Sequence, residues 1–596
     1  QQAGFASKQA EAQAAIKEGQ ADLDRAQDAL AGLVTPKYRV YSRQNYPGDV
    51  EFYTSKLRTE GMANVGNVFP VVLYLVAALV TLTTMTRFMS EERLKAGLLQ
   101  ALGYGPGDIL AKFLLYGLLS SGLGALLGIV AGTYGLPYVL GHTLFATSTY
   151  PPIQLHFYWQ LAALALGLSF LSSLLPIWWV ARRELAETPA QLLLPKPPAR
   201  GSRILLERVT WFWRRLSFTQ KVTARNIFRY KQRMLMTILG VAGSVALLFA
   251  GLGISSSLAG ITERQFDQLV GYDLIVARQQ HVNASQESDL AAALAQPDLA
   301  QTLDLHLQTG RQHLPGFKDQ QELTIMVAPD GGFGQLMSFY GAYSHKRLEL
   351  PDQGALISQK MAEKAGLKVG DRLTLEDPDG QPVSVTVAGI VELYAGHNVY
   401  LSRTAYEAAY GKAWAANAHL VQLTPEAKGD LAKVSARFMD LSGVRSVIQN
   451  SGIRHQIQVT VDSLALVMQI LTLVSILLAA VILYNLTTIN VAERIRELST
   501  IKVLGFHNRE VTRYIYRETV ALSLVGILFG LAGGWVLHRY LLNRISADFV
   551  QFNQNVAWTV YLTPVVAILL ILAALGWLVD RQLRQVDMLE ALKSVD

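Results

Sequence analysis

The chain of 596 residues contains no cysteine, which removes disulfides, a thiol nucleophile and thiolate metal ligands from consideration. Charge is also sparse: Asp, Glu, Lys and Arg make up 17% of the residues and apolar residues 51%, a balance too apolar for an ordinary soluble protein. The sequence has no G-x-x-x-x-G-K-[ST] loop to cradle nucleotide phosphates, no H-E-x-x-H and no G-x-S-x-G. His306, His313, His345, His397, His419 and His455 are scattered singly rather than at ligand spacing. No catalytic residue, metal site or resident cofactor is therefore predicted.

What the chain has instead is long hydrophobic runs. Seven stretches reach the roughly 18 apolar residues a membrane helix needs: Val68–Thr86, Ile109–Gly135, Tyr158–Val180, Met234–Leu258, Leu464–Ile489, Val520–His538 and Trp558–Val579. Their interiors carry essentially no Asp, Glu or Lys, which argues against an ion-coupled transporter, whose relays require such groups. Asn485 is an isolated polar group within a span and is expected to hydrogen-bond between helices.

Basic residues set the orientation. Arg182–Lys231, Arg87–Lys95, Arg494–Arg513 and the tail with Arg581 and Arg584 are rich in Lys and Arg, whereas Leu136–Phe157 has none. All the basic stretches fall on one side of the membrane, which the positive-inside rule makes cytosolic. The C-terminus is then cytosolic, and the N-terminus and Ala259–Ser463 are external. An external start reading "QQAGFASKQAEAQ", with neither Met nor a signal sequence, predicts a preceding membrane helix and eight spans in the full protein. The formal charge of +7 is accounted for by the basic loops, so no nucleic-acid partner is implied.

An internal repeat organises the chain. "EERLKAGLLQALGY" at Glu91–Tyr104 is echoed by "ERIRELSTIKVLGF" at Glu493–Phe506. The alignment continues with Asp108 on Glu510, and with Gly124, Gly128 and Gly132 on Gly526, Gly530 and Gly534. Each copy reads span, charged helix, Gly-spaced span, short external loop, span. Both run in the same direction, as in a parallel repeat related by an axis along the membrane normal. The glycine series place small residues on one helix face and predict a packing seam in each half.

Between the copies, "ELAETPAQLLLPKPPARGSR" reads as a flexible linker. "FTQKVTARNIFRYKQRM" mixes apolar and basic residues like a helix lying on the inner membrane surface, or a plain juxtamembrane anchor. The external segment alternates strand-like runs ("DLIVAR", "ELTIMVAP", "DRLTLEDPDGQPVSVTVAGIVEL", "AHLVQLTP") with helical ones ("GALISQKMAEKAGL", "KGDLAKVSARFMDL"). "EDPDGQPV" marks a hairpin turn. Residues Gln1–Leu33 carry Ala15, Ile16, Leu23, Ala26, Leu30 and Leu33 at helical spacing and predict one leg of an external coiled coil. The fold class is thus an α-helical polytopic membrane protein of two parallel repeats, with an α+β external domain and a coiled-coil segment. The expected boundaries are 1–36 for the coiled-coil leg, 37–66 for a connector, 67–183 for the first membrane repeat and 184–220 for the linker. An amphipathic helix and span at 221–258 open the second repeat, followed by the α+β domain at 259–463 and the remaining spans and tail at 464–596.

Leu94, Leu98 and Leu102 recur every four residues in the first charged helix, and Ile495, Leu498 and Ile501 every three in the second. Each helix therefore has one apolar face, and each ends at a glycine suited to a left-handed cap, Gly103 or Gly505. A short amphipathic helix tied to two spans can pass motion between a cytosolic partner and those spans. Two matched copies predict two docking points for a two-subunit partner.

These residues, together with "ARNIFRYKQR" and "GALISQKMAEKAGLKVGDRLTLE", resemble the FtsX-like, or MacB-like, type VII permeases of ABC transporters, in a long duplicated form of Gram-positive bacteria. The resemblance covers nearly the whole chain and implies a multi-pass cell-membrane protein that is not itself an enzyme. It implies a cytosolic ABC ATPase, in two copies per chain, that binds the ATP and Mg. Glu91 and Glu493, with Gly103 and Gly505, would form the coupling elbows, and Leu98, Leu102, Ile501 and Leu504 the apolar contacts to that ATPase. Work would be transmitted to the external domains, for export of a peptide or lipophilic compound or for control of a cell-wall hydrolase. The alternative is a ligand-sensing receptor that signals without an ATPase.

Overall fold

The computed structural model describes residues 17, 19, 20, 23, 50–144, 154–194, 210–215, 221, 224, 225, 227, 228, 231–317, 320–377, 380–493, 501, 503, 505, 507–545 and 550–585. Residues 1–59 and 60–596 form two units. In the first, the described residues Lys17, Gly19, Gln20, Leu23 and 50–59 are helical, and the rest of the expected coiled-coil leg lies outside the described residues. The amphipathic stretch before the fourth span is described only at helical Lys221, Ala224, Arg225, Ile227 and Phe228 before residue 231.

The second unit carries seven helices long and apolar enough to cross a membrane: Gly66–Glu91, Pro106–Val139, Trp159–Leu185, Met234–Leu269, Asn450–Val491, Glu510–Arg544 and Trp558–Arg581. The first half consists of α1 (Val50–Glu91), the short α2 (Arg93–Ala101), α3 (Pro106–Val130), which passes through a π-turn at Ala131–Gly135 into α4 (Leu136–Leu144), then α5 (Trp159–Leu185) and α6 (Pro189–Leu192). In the second half, α7 (Lys231–Leu258) leads into the external domain.

Two interlocking lobes make up that domain. Strand β1 (Leu274–Arg278), α8 (Ala284–Leu294), β2 (Leu299–Gln312), β10 (Ala418–Leu423), α11 (Leu431–Met439) and β11 (Val444–Gln449) follow a split β-α-β-β-α-β course. Between β2 and β10 the chain inserts β3 (Gln321–Ala328), the small β4 (Phe339–Tyr340) and β5 (Arg347–Leu348), β6 (Ala355–Ser358), α9 (Gln359–Ala365), β7 (Arg372–Glu376), β8 (Pro382–Val391), β9 (His397–Ser402) and α10 (Arg403–Tyr410). The main sheet has nine strands in the order β11-β1-β10-β2-β3-β9-β6-β8-β7. Strand β2 serves both lobes: Leu299–Leu305 pairs with β10 and His306–Gln312 with β3. Antiparallel pairs β1/β11 and β7/β8 mix with parallel pairs β3/β9 and β6/β8, as an α+β domain requires.

Local chemistry sets these elements. Asn283 caps α8 by accepting from the Gln286 backbone N–H at 2.8 Å, and Ser402 caps α10 through Ala405. Gly366 and Gly411 end α9 and α10 in the left-handed conformation, at φ 68° and 63°. The hairpin expected at "EDPDGQPV" joins β7 to β8, with Glu376 opposite Pro382. One expectation is corrected: "GALISQKMAEKAGL" is not helical throughout. Its Ala355–Ser358 is a fully buried strand paired with β8 and β9, and the helix begins at Gln359. A short, wholly apolar run has the same periodicity in a buried strand as in a buried helix, so only its nonlocal partners decide it.

After β11 the chain runs without a break into α12 (Asn450–Glu493), followed by α13 (Asn508–Ile545) and α14 (Trp558–Gln585). The two halves meet through α1 and α12, where Val76 packs on Ile482 and Leu486. There Asn485 donates to Thr84 Oγ1 at 2.5 Å, while Thr84 donates to the Val80 carbonyl. The isolated polar side chain thus forms an interhelical hydrogen bond.

Candidate coupling helix and its route to the external domain

Helix α2 lies between the first two spans and is anchored on one face only. Its buried residues are Arg93, Ala96 and Gly97. The Arg93 guanidinium reaches Glu184 at 3.0 Å, at the end of α5, and also pairs with Glu187 and donates to the Gln191 carbonyl at 2.9 Å. Gly97 lies so close to α6 that a Cβ there would come within 2.9 Å of Leu192 Cβ. Glu92, at the start of the helix, pairs with Lys95 at 2.6 Å and with Lys112 of α3 at 3.0 Å. The hydrogen bonds from these lysines hold its carboxyl below the ordinary carboxylate range.

The opposite face of α2 is apolar and open: Leu94, Leu98 and Leu102 are 62%, 54% and 69% exposed. Gly103 closes the helix at φ 95°, and Asp108 accepts from the Gly105 backbone N–H at 3.2 Å to start α3. The second half repeats this exit: Gly505 also has φ 95°, and Glu510 accepts from the His507 N–H at 3.0 Å. Glu91 forms an ion pair with Arg87 at 2.6 Å within its own helix and is otherwise exposed.

Only part of the second charged helix can be compared. Its residues 494–500 and Leu504 lie outside the described residues, as does the side chain of Glu493. Ile501 departs from the expectation of an open apolar row: it is half-buried and packs on Val511, Ile515 and Val579. In the repeat alignment Ile501 matches Leu99, which packs inward in the first half. The stripe of Ile495, Leu498 and Ile501 therefore aligns with Arg93, Ala96 and Leu99, the anchored side of α2, and not with its open side. Both stripes have helical spacing, and spacing alone cannot say which face points outward.

The two glycine series also differ. A Cβ on Gly526, Gly530 or Gly534 would meet Val241, Val245 or Phe249 of α7 at 2.8, 2.6 and 2.6 Å. On Gly124, Gly128 or Gly132 it would meet nothing within 4 Å. The seam expected in the first half is therefore not formed among the described residues, where α3 packs on α5 and no helix takes the place that α7 takes beside α13.

From this seam the contacts lead outward. Ser257 of α7 and His538 of α13 are buried and lie 3.1 Å apart. Beyond α7, Arg264 forms a two-pronged pair with Glu392 at 2.9 Å, and Tyr394 donates to the same carboxylate at 2.7 Å. Burial acts to raise the Glu392 pKa, but these bonds outweigh it and hold the carboxyl below its ordinary range. Gln265 accepts from the backbone N–H groups of Tyr394 and Ala395, both at 2.8 Å. The loop between the last two spans joins the same joint: Val550 bridges Ala395, and the Gln551 N–H donates to the Tyr394 carbonyl at 2.8 Å. On the other side, Arg454 of α12 pairs with Asp267 at 2.7 Å, and Asn450 Nδ2 donates to the Tyr272 carbonyl at 3.0 Å. Sequence reading missed Arg93, Arg264 and Glu392, whose partners are remote along the chain. Among the described residues, no group of three or more His, Asp or Glu side chains could hold a metal ion.

Membrane spans in two matched sets, joined to an α+β external domain, define a polytopic membrane protein. The description "FtsX-like permease C-terminal" matches residues 67–185 and again 470–587, and "MacB-like periplasmic core domain" matches 234–440. The chain belongs to the FtsX-like, MacB-like permeases of ABC transporters, with the FtsX-like unit present twice. An uncharacterized ABC transporter permease protein of Mycobacterium tuberculosis (strain ATCC 25618 / H37Rv) is 25% identical over 207 residues, which is 33% of this chain and 23% of that relative. The crystal structure of the extracellular domain of the noncanonic ABC-type transporter YknZ from Gram-positive bacteria aligns at 14% identity over 30% of this chain and 99% of that one. Its TM-score is 0.19, at which the likeness supports no argument.

Proposed function

We propose that the chain converts ATP hydrolysis by a separate cytosolic ATPase into movement of its extracellular domain. The observation that carries this reading is α2: an amphipathic helix clamped to α5 and α6 through Arg93, with Leu94, Leu98 and Leu102 turned outward. A surface helix that merely linked two spans would have no need of a buried ion-pair anchor beneath an open leucine row, whereas a docking helix needs both. In this reading α2 and the helix before Gly505 each seat one ATPase subunit, and the C-terminus is cytosolic.

Displacement at α2 would pass through Arg93 to α5, and displacement of the second helix through α13 along its glycine seam to α7. Helices α7 and α12 continue into β1 and β11, which pair with each other, so relative motion of the two helices would shear or rotate the domain as a body. The apolar runs carry essentially no Asp, Glu or Lys in their interiors, which favours transmitted work over ion-coupled passage of a solute through the membrane. An extracellular peptide, a lipophilic compound or a cell-wall hydrolase would be the client.

Replacing Leu98 and Leu102 together with Glu tests the docking face. The expected outcome is loss of most ATPase copurifying with the chain, with membrane insertion and thermal stability unchanged. Undiminished copurification would sink this assignment.

A further inference from the structure

Between α13 and α14 runs an open groove of about 530 Å³, within the range of about 300–1,000 Å³ usual for small-ligand sites. Its mouth carries Arg513 and Arg517, four residues apart and so on one helix face. Neither arginine is paired with a carboxylate among the described residues. The nearby Asp580 is already engaged, accepting from Thr512 at 3.2 Å and pairing with Arg584 at 2.6 Å. Two turns further along α13, roughly 10 Å at the rise of a helix, the wall becomes apolar at Leu524. The Tyr516 ring lies against Gly576, where a Cβ would come within 3.3 Å of it, and its hydroxyl is used up by the Leu572 carbonyl at 2.6 Å. The groove thus carries Arg513, Arg517 and the engaged Asp580 at one end, is apolar along the rest of its length and is open to the side.

That gradient matches one kind of molecule. Guanidinium groups take phosphate oxygens in a bidentate fork, and two arginines unpaired with a carboxylate among the described residues, at a membrane boundary, suit an anionic headgroup. The smooth floor beyond suits a hydrocarbon tail. The geometry points to a binding site for one anionic phospholipid, its phosphate on Arg513 and Arg517 and an acyl chain along Leu524 and Gly576. The repeat supplies an internal control: the aligned positions in the first half are Ala111 and Leu115. The site belongs to the second half alone, beside the helix that carries the packed glycine seam. Placing the lipid in the inner leaflet rests on the proposed cytosolic position of α2; the lipid chemistry does not.

The test is native mass spectrometry of the full chain released from nanodiscs of equal phosphatidylcholine and phosphatidylglycerol. The wild type is expected to retain one phosphatidylglycerol at least fivefold over phosphatidylcholine. Arg513→Ala with Arg517→Ala should bring that ratio to about one. Gly576→Leu, which keeps both charges and fills the floor, should also abolish the preference. Unchanged retention in the double variant overturns the site; loss there with full retention in Gly576→Leu overturns the groove in favour of diffuse attraction. The leaflet is read separately: with no native cysteine, Lys95→Cys provides a single thiol on α2. Protection from an impermeant maleimide in intact cells is expected, and labelling would overturn the inner-leaflet assignment without touching the lipid result.

Discussion

The two halves carry the same glycine spacing and put it to different use. In the second, α7 presents Val241, Val245 and Phe249 at four-residue intervals, and each fills the space beside a glycine of α13. In the first, the matching glycines of α3 face open space within the chain. A small-residue stripe is only half of a seam, because close approach between membrane helices gains its energy from a ridge that fits the groove. The charged helices differ in the same way. Arg93 anchors α2 through carboxylates at the end of α5 and in the segment that follows it, whereas the aligned position in the second half is Ile495. Shared topology therefore does not imply shared energetics, and the two halves differ in packing within the chain itself.

The sharpest way to break this comparison is to fill the glycines. Gly530→Leu drives a side chain into Val245 and the Ala242 carbonyl and is expected to destabilise the chain by about 3 kcal/mol or more, as overpacking of a tight interface does. Gly128→Leu should stay within about 0.5 kcal/mol, as at an unconstrained surface position. Thermal unfolding of both variants in detergent checks the pair; equal effects would mean that the seam is not specific to the second half.

A smaller loss is expected from Arg93→Met, which removes the guanidinium that Glu184 and Glu187 share. Breaking a buried pair costs about 3–5 kcal/mol, and with Glu187 a third exposed about 2 kcal/mol is expected here. Proteolysis at the linker after α6 should speed up with it. Ile495→Met in the other half should change stability by less than about 1 kcal/mol, as volume-conserving apolar swaps do.

The mildest effect concerns acid. Glu392 is held below its ordinary pKa of 4.5 by Arg264 and Tyr394. A depressed carboxylate contributes stability that is present above the unfolded pKa and lost as pH falls through the folded one. Hydrogen exchange at Tyr394 and Ala395 should accelerate only below about pH 4.5, and Glu392→Gln should flatten that dependence. No such acid response is expected at Gly526, Gly530 and Gly534, whose close neighbours Val241, Val245 and Phe249 are apolar.

Much of this architecture could be read from the chain alone, because a membrane span is a local property of some twenty residues and the repeat aligns by eye. The left-handed glycines ending both charged helices were equally legible, since Leu-Gly-aromatic after an amphipathic turn admits few other endings. The strand order was not: β2 divides its length between two lobes, pairing with β3 at the start of the inserted lobe and with β10 beyond its end. Arg93 sits in a run of charges where nothing distinguishes it from Arg87 or Lys95 until α5 returns with Glu184. The packing of Ile501 on Val511, Ile515 and Val579 is not legible either, because periodicity gives a helix its stripe without giving the stripe its direction.

The most direct test of the central claim is to isolate the protein from its native membrane in mild detergent, count its partners by mass and assay nucleotide hydrolysis. Two ATPase subunits per chain, with hydrolysis retained in the complex, is the predicted result. A chain that comes out alone and without hydrolysis would contradict the account and leave a ligand-sensing receptor as the reading to pursue.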